Sequence, residues 1–190
     1  MKTISLLFFS LFLIAQIQLD AQATKFYSKN TNIVFDATTK TSPEKISGST
    51  AKAATIVDLA AKKIDVSMLV KTFHFDKALM EEHFNENYME SDKFPKGVFK
   101  GTFETGSGFD INKEGVAEVK VKGDLTIHGI TKNITAPGKL TIKSGKIVKA
   151  ECSFNISLDD YGIKIPSLVN DKVNKTVSLQ IKTDLEPLVK

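Results

Sequence analysis

The side chains with types that could do chemistry are few: His74, His83, His128, Cys152 and the adjacent pair Asp159-Asp160. Zinc needs several His, Cys or carboxylate ligands at close spacing, and no such set is written here. His74 and His128 read as strand residues beside apolar neighbours, and His83 falls on a helical stripe. Each reads best as a structural histidine. Cys152 stands in the alternating series Val148, Ala150, Cys152, Phe154, Ile156, Leu158. That pattern places it on the apolar face of a strand as a small, inert core residue. As the one Cys of the chain, it has no partner for an intramolecular disulfide. Asp159 and Asp160, read as strand neighbours, point to opposite faces and cannot share a substrate. No G-x-S-x-G elbow occurs. Gly106-Ser107-Gly108 is a turn rather than a phosphate loop, because no Gly-Lys-Ser/Thr follows. No catalytic residue, metal ligand or cofactor is therefore assigned. An enzyme acting on lipid or quinone through His83 or His128 remains the weakest alternative.

The elements that would carry a site are strands. Ile64, Val66, Met68 and Val70 share one parity, and Phe73 and Phe75 take the other, which predicts a bulge near Lys71-Thr72. Phe99, Gly101 and Phe103 alternate with Lys100, Thr102 and Glu104. Ala117, Val119, Val121, Leu125 and Ile127 alternate with charged residues, as do Val177, Leu179 and Ile181 with Ser178, Gln180 and Lys182. One wet face and one dry face indicate antiparallel pairing. Turn signals lie at Asn112-Lys113-Glu114-Gly115, Pro137-Gly138, Ser144-Gly145 and Asn170-Asp171, with Ser144-Gly145 reading as a tight hairpin. Several spaced strands without a linker predict one all-β domain, a barrel or a sandwich. Such a barrel either fills itself with side chains or holds a ligand. The alternation alone does not separate the two, and a plain packed core is its simpler reading.

One stretch departs from this pattern. Between Asp76 and Asn85 the apolar residues Leu79, Met80, His83 and Phe84 fall on one helical stripe, with Glu81, Glu82 and Asn85 toward water. Asp76 is the expected cap, and Asn85 or Asn87 the expected end. A helix inserted into a β meander either covers a barrel mouth or packs outside as filler.

The chain begins with Lys2, an apolar run from Ile4 to Ile17, and the small-x-small triplet Ala21-Gln22-Ala23. That is the pattern of a cleaved export signal over residues 1–23, leaving a soluble mature domain from Thr24 to Lys190. The apolar run is short of the roughly 20 residues a membrane span needs. The expected location is thus periplasmic or secreted. The net charge is +4, and all 26 basic residues are Lys. Without the bidentate fork of Arg, sequence-specific nucleic-acid binding is not expected. The Lys residues alternate with apolar ones and read as a solvated outer face, compatible with transient contact with anionic membranes. A homodimer is left open.

Three stretches together resemble one family. They are Leu79 to Phe103, with His83, Tyr88, Phe94-Pro95 and Phe99; Gly123-Asp-Leu-Thr-Ile-His-Gly-Ile-Thr-Lys132; and Phe154-Asn-Ile-Ser-Leu-Asp-Asp-Tyr-Gly162. In order and spacing they resemble the YceI-like family of exported polyisoprenoid-binding proteins, over nearly all of Thr24 to Glu186. The resemblance implies an extended, lipocalin-like antiparallel barrel of about eight strands, with helical segments near the opening of an apolar channel. True lipocalins usually carry an early Trp, and this chain has none. The late motif often holds a basic residue where Ser157-Leu158-Asp159 stands here, so no charged headgroup contact is carried over to that point. The implied function is non-catalytic binding, transport or sequestration of a long-chain isoprenoid or similar lipid. The expected lining is Met68, Phe73, Phe84, Tyr88, Phe99, Phe103, Leu125, Ile127, Phe154, Ile156 and Leu179, with Phe84 and Tyr88 at the mouth. The alternative is a filled barrel that serves as a structural or interaction module of the cell envelope.

Overall fold

Alternating apolar residues make each strand dry on one side, and the backbone ladder closes those dry sides around one axis. The computed structural model describes residues 23–169 and 171–188. Its strands are β1 (Lys25–Thr38), β2 (Ser47–Asp58), β3 (Lys63–Leu69), β4 (His74–Phe75), β5 (Lys96–Thr105), β6 (Gly115–Ile127), β7 (Ile130–Lys143), β8 (Lys146–Ser157), β9 (Val173–Asp184) and β10 (Glu186–Pro187). The eight long strands pair antiparallel in the order β1-β9-β8-β7-β6-β5-β3-β2, and β2 returns to β1 to close the barrel. The two short strands extend it, β4 against β2 and β10 against β1. This is the expected antiparallel eight-stranded barrel with one short helix, α1 (Ala78–His83), among the described residues. None of the described helices is long and apolar enough to cross a membrane. The expected export signal lies, apart from Ala23, outside the described residues, as does Asn170.

The two ends of the barrel differ. At one end the connections are residues 59–62, 106–114 and 144–145, none of them with a helix. Ser144 (φ 49°) and Gly145 (φ 70°) form the expected two-residue hairpin with both central residues left-handed. Phe26, Val57, Phe103, Ile147 and Leu185 pack together and seal this end. At the other end the connection of residues 39–46 and two long ones, residues 70–95 and 158–172, gather over the opening.

Several local expectations are corrected. β3 does not bulge at Lys71-Thr72; it stops at Leu69, makes a 3₁₀ turn over Val70–Thr72 and resumes as β4. Pro137-Gly138 is not a turn but lies inside β7, paired with Lys120 and Val119 of β6. α1 begins with Lys77 as its cap residue rather than Asp76, and passes into a π-helical turn over Phe84–Tyr88. Leu79 leaves the expected stripe and is 60% exposed, whereas Asn85 is half-buried. His128 occupies the β6–β7 turn, and Asp159 and Asp160 lie in a 3₁₀ turn rather than a strand. A register shift after Thr141 makes Ile147, not Val148, the buried start of the β8 series.

Closure also requires β5 and β6 to approach closely, and they do so at a directly opposed pair of glycines, Gly101 and Gly123. A Cβ on Gly123 would come within 2.4 Å of both the Gly101 Cα and the Lys100 carbonyl oxygen. Both obstacles are backbone, so neither can rotate away. Gly123→Ala is therefore expected to destabilise the fold by about 1–3 kcal/mol, as overpacking does. Urea denaturation read by circular dichroism checks this; an unchanged midpoint would show that the strands can separate at no cost.

Candidate functional site

The interior of the barrel is not filled. Two adjoining apolar chambers occupy it, a lower one of about 120 Å³ within the strands and an upper one of about 300 Å³ beneath the long connections. Native cores seldom leave voids larger than one water molecule. Phe99, Phe103, Leu125 and Phe154 line the lower chamber alone, and Phe84, Tyr88 and Ile156 the upper. Met68, Phe73, Ile127 and Leu179 touch both and form the waist between them. All eleven sequence-derived residues thus line one or other of the two adjoining chambers.

The upper chamber is roofed by aromatic rings. The π-helical turn carries one more residue per turn than an α-helix, and it directs Phe84 inward. Phe84 stacks on Phe35 (centroids 5.2 Å apart, planes at 12°) and meets Phe73 and Phe75 at 5.6 and 5.0 Å. Contacts of this kind contribute about 0.5–1.5 kcal/mol each beyond burial. The insert therefore lies across the barrel end and lines the chamber, rather than packing on the outer wall.

Sequence reading missed several lining residues. Phe35 sits in the alternation Ile33, Phe35, Ala37 and was open to discovery by the same period. Ile163, Ile165 and Val169 lie on the long β8–β9 connection, which carries no periodicity to reveal them. The polar lining was also missed: Ser42, Glu44, His83 and Lys172 border the upper chamber. Glu44 pairs with Lys77 at the start of the helical insert. Lys77, with a further contribution from Lys172, holds the Glu44 carboxyl below the usual range. Lys139 and Glu151 border the lower chamber but pair outward with Glu118 and Lys182, and its hydroxyls engage one another. Thr31, Thr55 and Thr183 are all buried, with hydroxyl contacts of 2.7 and 2.9 Å. Thr183 donates onward to the Asp184 carbonyl at 3.1 Å, which completes a closed hydroxyl relay.

The three histidines are dispersed. His74 is exposed beside Glu81, 3.5 Å away. His83 ends α1 at the chamber rim. His128 lies between two acceptors, the Tyr161 carbonyl at 3.0 Å from Nδ1 and Glu90 Oε2 at 2.9 Å from Nε2. Nδ1–H donates to the carbonyl, and both acceptors are satisfied together only when both ring nitrogens carry protons. Among the described residues no group of His, Cys, Asp and Glu is placed to hold a metal ion. Burial pushes the Tyr161 phenol up, with Asp160 adding to the effect.

Cys152 borders the lower chamber, and its Sγ–H donates to the Pro137 carbonyl at 3.3 Å. Burial raises this thiol from 9.0 to about 11. Two units leave about a hundredfold less thiolate, so maleimide should modify Cys152 about 100 times more slowly in the folded protein than after denaturation. Timed labelling read by mass spectrometry checks this, and equal rates would place the thiol outside the barrel.

Known proteins share these features. The model of the YceI-like domain matches residues 19–185. A YceI protein of Shigella flexneri is 28% identical over 111 residues, covering 55% of this chain and 54% of its own length. A UPF0312 protein of Pseudomonas putida is 23% identical over 126 residues, covering 63% and 62%. These matches thus span about half to three fifths of the curated relatives' length. Among solved structures, a polyisoprenoid binding domain from Saccharophagus degradans, implicated in plant cell wall breakdown, superposes with a TM-score of 0.69. It is 12% identical, over 87% of this chain and 99% of that one. BcnA of Burkholderia cenocepacia superposes with a TM-score of 0.64 at 14% identity, over 82% and 96%. At those identities the superpositions establish the fold, and with the domain match spanning most of the sequence, this chain belongs to the YceI-like family.

Proposed function

We propose that this protein binds one long-chain amphiphile, an isoprenoid or similar lipid, inside the barrel and carries or sequesters it without catalysis. The proposed setting is the periplasm or the cell exterior, after removal of a leader ending near Ala23. The observation that carries the reading is the upper chamber. A void lined by apolar side chains forgoes about 24 cal/mol of packing per Å³. At about 300 Å³ the upper chamber leaves a substantial apolar surface without packing partners. A barrel whose role was purely structural gains nothing from that cost. A lipid tail recovers it, since each buried CH₂ contributes about 0.8 kcal/mol against an association cost of about 4–15 kcal/mol. Affinity should therefore rise with chain length.

The distribution of polar side chains supports one orientation. Ser42, Glu44, His83 and Lys172 border only the upper chamber, while at the lower one Lys139 and Glu151 are paired outward with Glu118 and Lys182 and the hydroxyls are engaged by Thr31. A headgroup pushed into the lower chamber would lose water without gaining partners, at a cost of about 2–7 kcal/mol. In this reading the tail enters first and the headgroup stays under the long connections.

Native mass spectrometry of the protein purified from its own host is the first test, with a retained long-chain apolar molecule as the expected result. If nothing apolar is retained, and long-chain prenols fail to raise the melting temperature, the proposal is wrong. Phe99→Trp separates the lipid reading from a filled barrel. A hollow lower chamber accepts the larger ring and loses about tenfold or more in lipid affinity. Destabilisation by about 1–3 kcal/mol with no change in lipid binding would instead favour the filled barrel.

A further inference from the structure

The barrel wall is not zipped along its whole length. The β7–β8 ladder runs from Lys143↔Lys146 to Gly138↔Cys152 and stops there. Above it, residues 130–137 of β7 pair only with β6, and residues 153–157 of β8 only with β9. The cause is written in the sequence. Pro137 has no N–H to give to β8, so the ladder ends at the residue after it. There the Cys152 thiol also reaches the Pro137 carbonyl, at 3.3 Å.

At its upper end the seam is held by a side-chain clasp. His128, in the β6–β7 turn, donates to the carbonyl of Tyr161, just beyond β8, and is held on its other side by Glu90. The ring of Phe94 meets the His128 ring edge-on at 4.6 Å. Both His128 (φ 50°) and Glu90 (φ 41°) have left-handed backbone conformations. At residues other than glycine such conformations cost on the order of 1 kcal/mol each. The clasp is thus a small set of contacts between strained segments, where a full ladder would have bound the two strands continuously.

What flanks the seam is equally specific. Ile134 and Ala136 on β7 and Cys152 and Phe154 on β8 line the lower chamber. The exposed residues on the outer side, Asn133, Thr135, Ser153 and Asn155, are all small and neutral, and Lys132 near the top of β7 is the one charge on the open segments. Elsewhere the outer wall pairs charges across strands, as in Lys139–Glu118 and Lys182–Glu151. A charge beside the seam would add a desolvation cost to any apolar group passing through it.

We propose that the β7–β8 seam is a lateral portal. A long-chain lipid passes sideways through it into the two chambers when the His128–Tyr161 clasp opens, instead of threading end-on past the aromatic roof. The proposal rests on the lipid-binding reading above and adds a route to it. Sideways passage keeps each successive segment of the chain in contact with apolar side chains.

The test uses the full mature chain with Thr135→Cys and Asn155→Cys in a Cys152→Ser background. Continuing the register of Gly138↔Cys152 puts these two positions opposite each other. One sample is bridged with a flexible bismaleimide and the other is capped at both sites with N-ethylmaleimide. Stopped-flow fluorescence follows dansyl-tagged geranylgeraniol delivered from phosphatidylcholine vesicles. Bridging should slow uptake and release together by about tenfold or more and leave equilibrium affinity unchanged. Equal rates in the two samples overturn the portal. Absence of binding in both defeats the lipid reading, and the portal with it. Hydrogen exchange on the unmodified protein tests the seam without any ligand. Amides of residues 130–136 and 153–157 that face the seam should exchange about 100-fold faster than those of 138–143, and equal protection would also overturn the proposal.

Discussion

Everything in this molecule depends on the closure of the backbone ladder, in which β1 pairs with both β2 and β9. A sheet with one dry face must bury that face against something. Here it buries the face against itself, and an eight-stranded circumference leaves just enough width for side chains to meet across the axis. Whether they meet is then a matter of side-chain size and placement. At the lower end Phe26, Phe103, Ile147 and Leu185 meet and seal the barrel. Toward the other end the lining side chains stay apart, and the interior becomes two chambers with a waist at Met68, Phe73, Ile127 and Leu179.

The same closure assigns different tasks to the two ends. Short turns such as Ser144-Gly145 hold neighbouring strands in register and add little bulk. The long connections carry apolar residues of their own, and these complete a wall that strands alone leave open. The insert delivers Phe84, Tyr88 and Met89, and the β8–β9 connection delivers Ile163 and Ile165. The pairing of Lys77 with Glu44 ties the start of the insert to the β1–β2 connection. An exposed pair of this kind contributes little stability, because water and salt screen it. The roof therefore depends mainly on its aromatic contacts, with Phe84 at their centre.

This division explains what the sequence could reveal. Period-two alternation identifies inward positions without reference to distance, and Phe99, Phe103, Leu125, Phe154 and Leu179 all stand on it. It contains no information on whether inward side chains touch across the axis, so chamber and core looked alike. The insert was visible because a helical period interrupts a strand period. Its cap and end were misplaced because a π-helical turn follows no period that the sequence displays. Lys172 and Glu44 were invisible as chamber residues, since they lie on connections whose course depends on long-range packing. Pro137-Gly138 was misread for a related reason. As a dipeptide it signals a turn, but β6 pairs with it on the side where no Pro N–H is required.

The same proline bears on the energetics of the wall. Continuing the β7–β8 ladder past Gly138 would add roughly four backbone hydrogen bonds, a net contribution of about 2–6 kcal/mol. The fold takes the His128 clasp instead, with two hydrogen bonds and two left-handed residues, Glu90 and His128. Stability alone does not account for that arrangement, because a residue with an N–H at position 137 would permit the ladder to extend. A wall that opens must be weak at one seam and strong elsewhere, so that opening there leaves the other strands paired. β6 and β7 are paired over their full length, from Gly115↔Ile142 to Ile127↔Ile130, and β8 and β9 over nine successive residues. Each flank of the seam is thereby bound firmly to its outer neighbour and weakly to the other flank, and strain in the barrel is directed to the strip that borders both chambers.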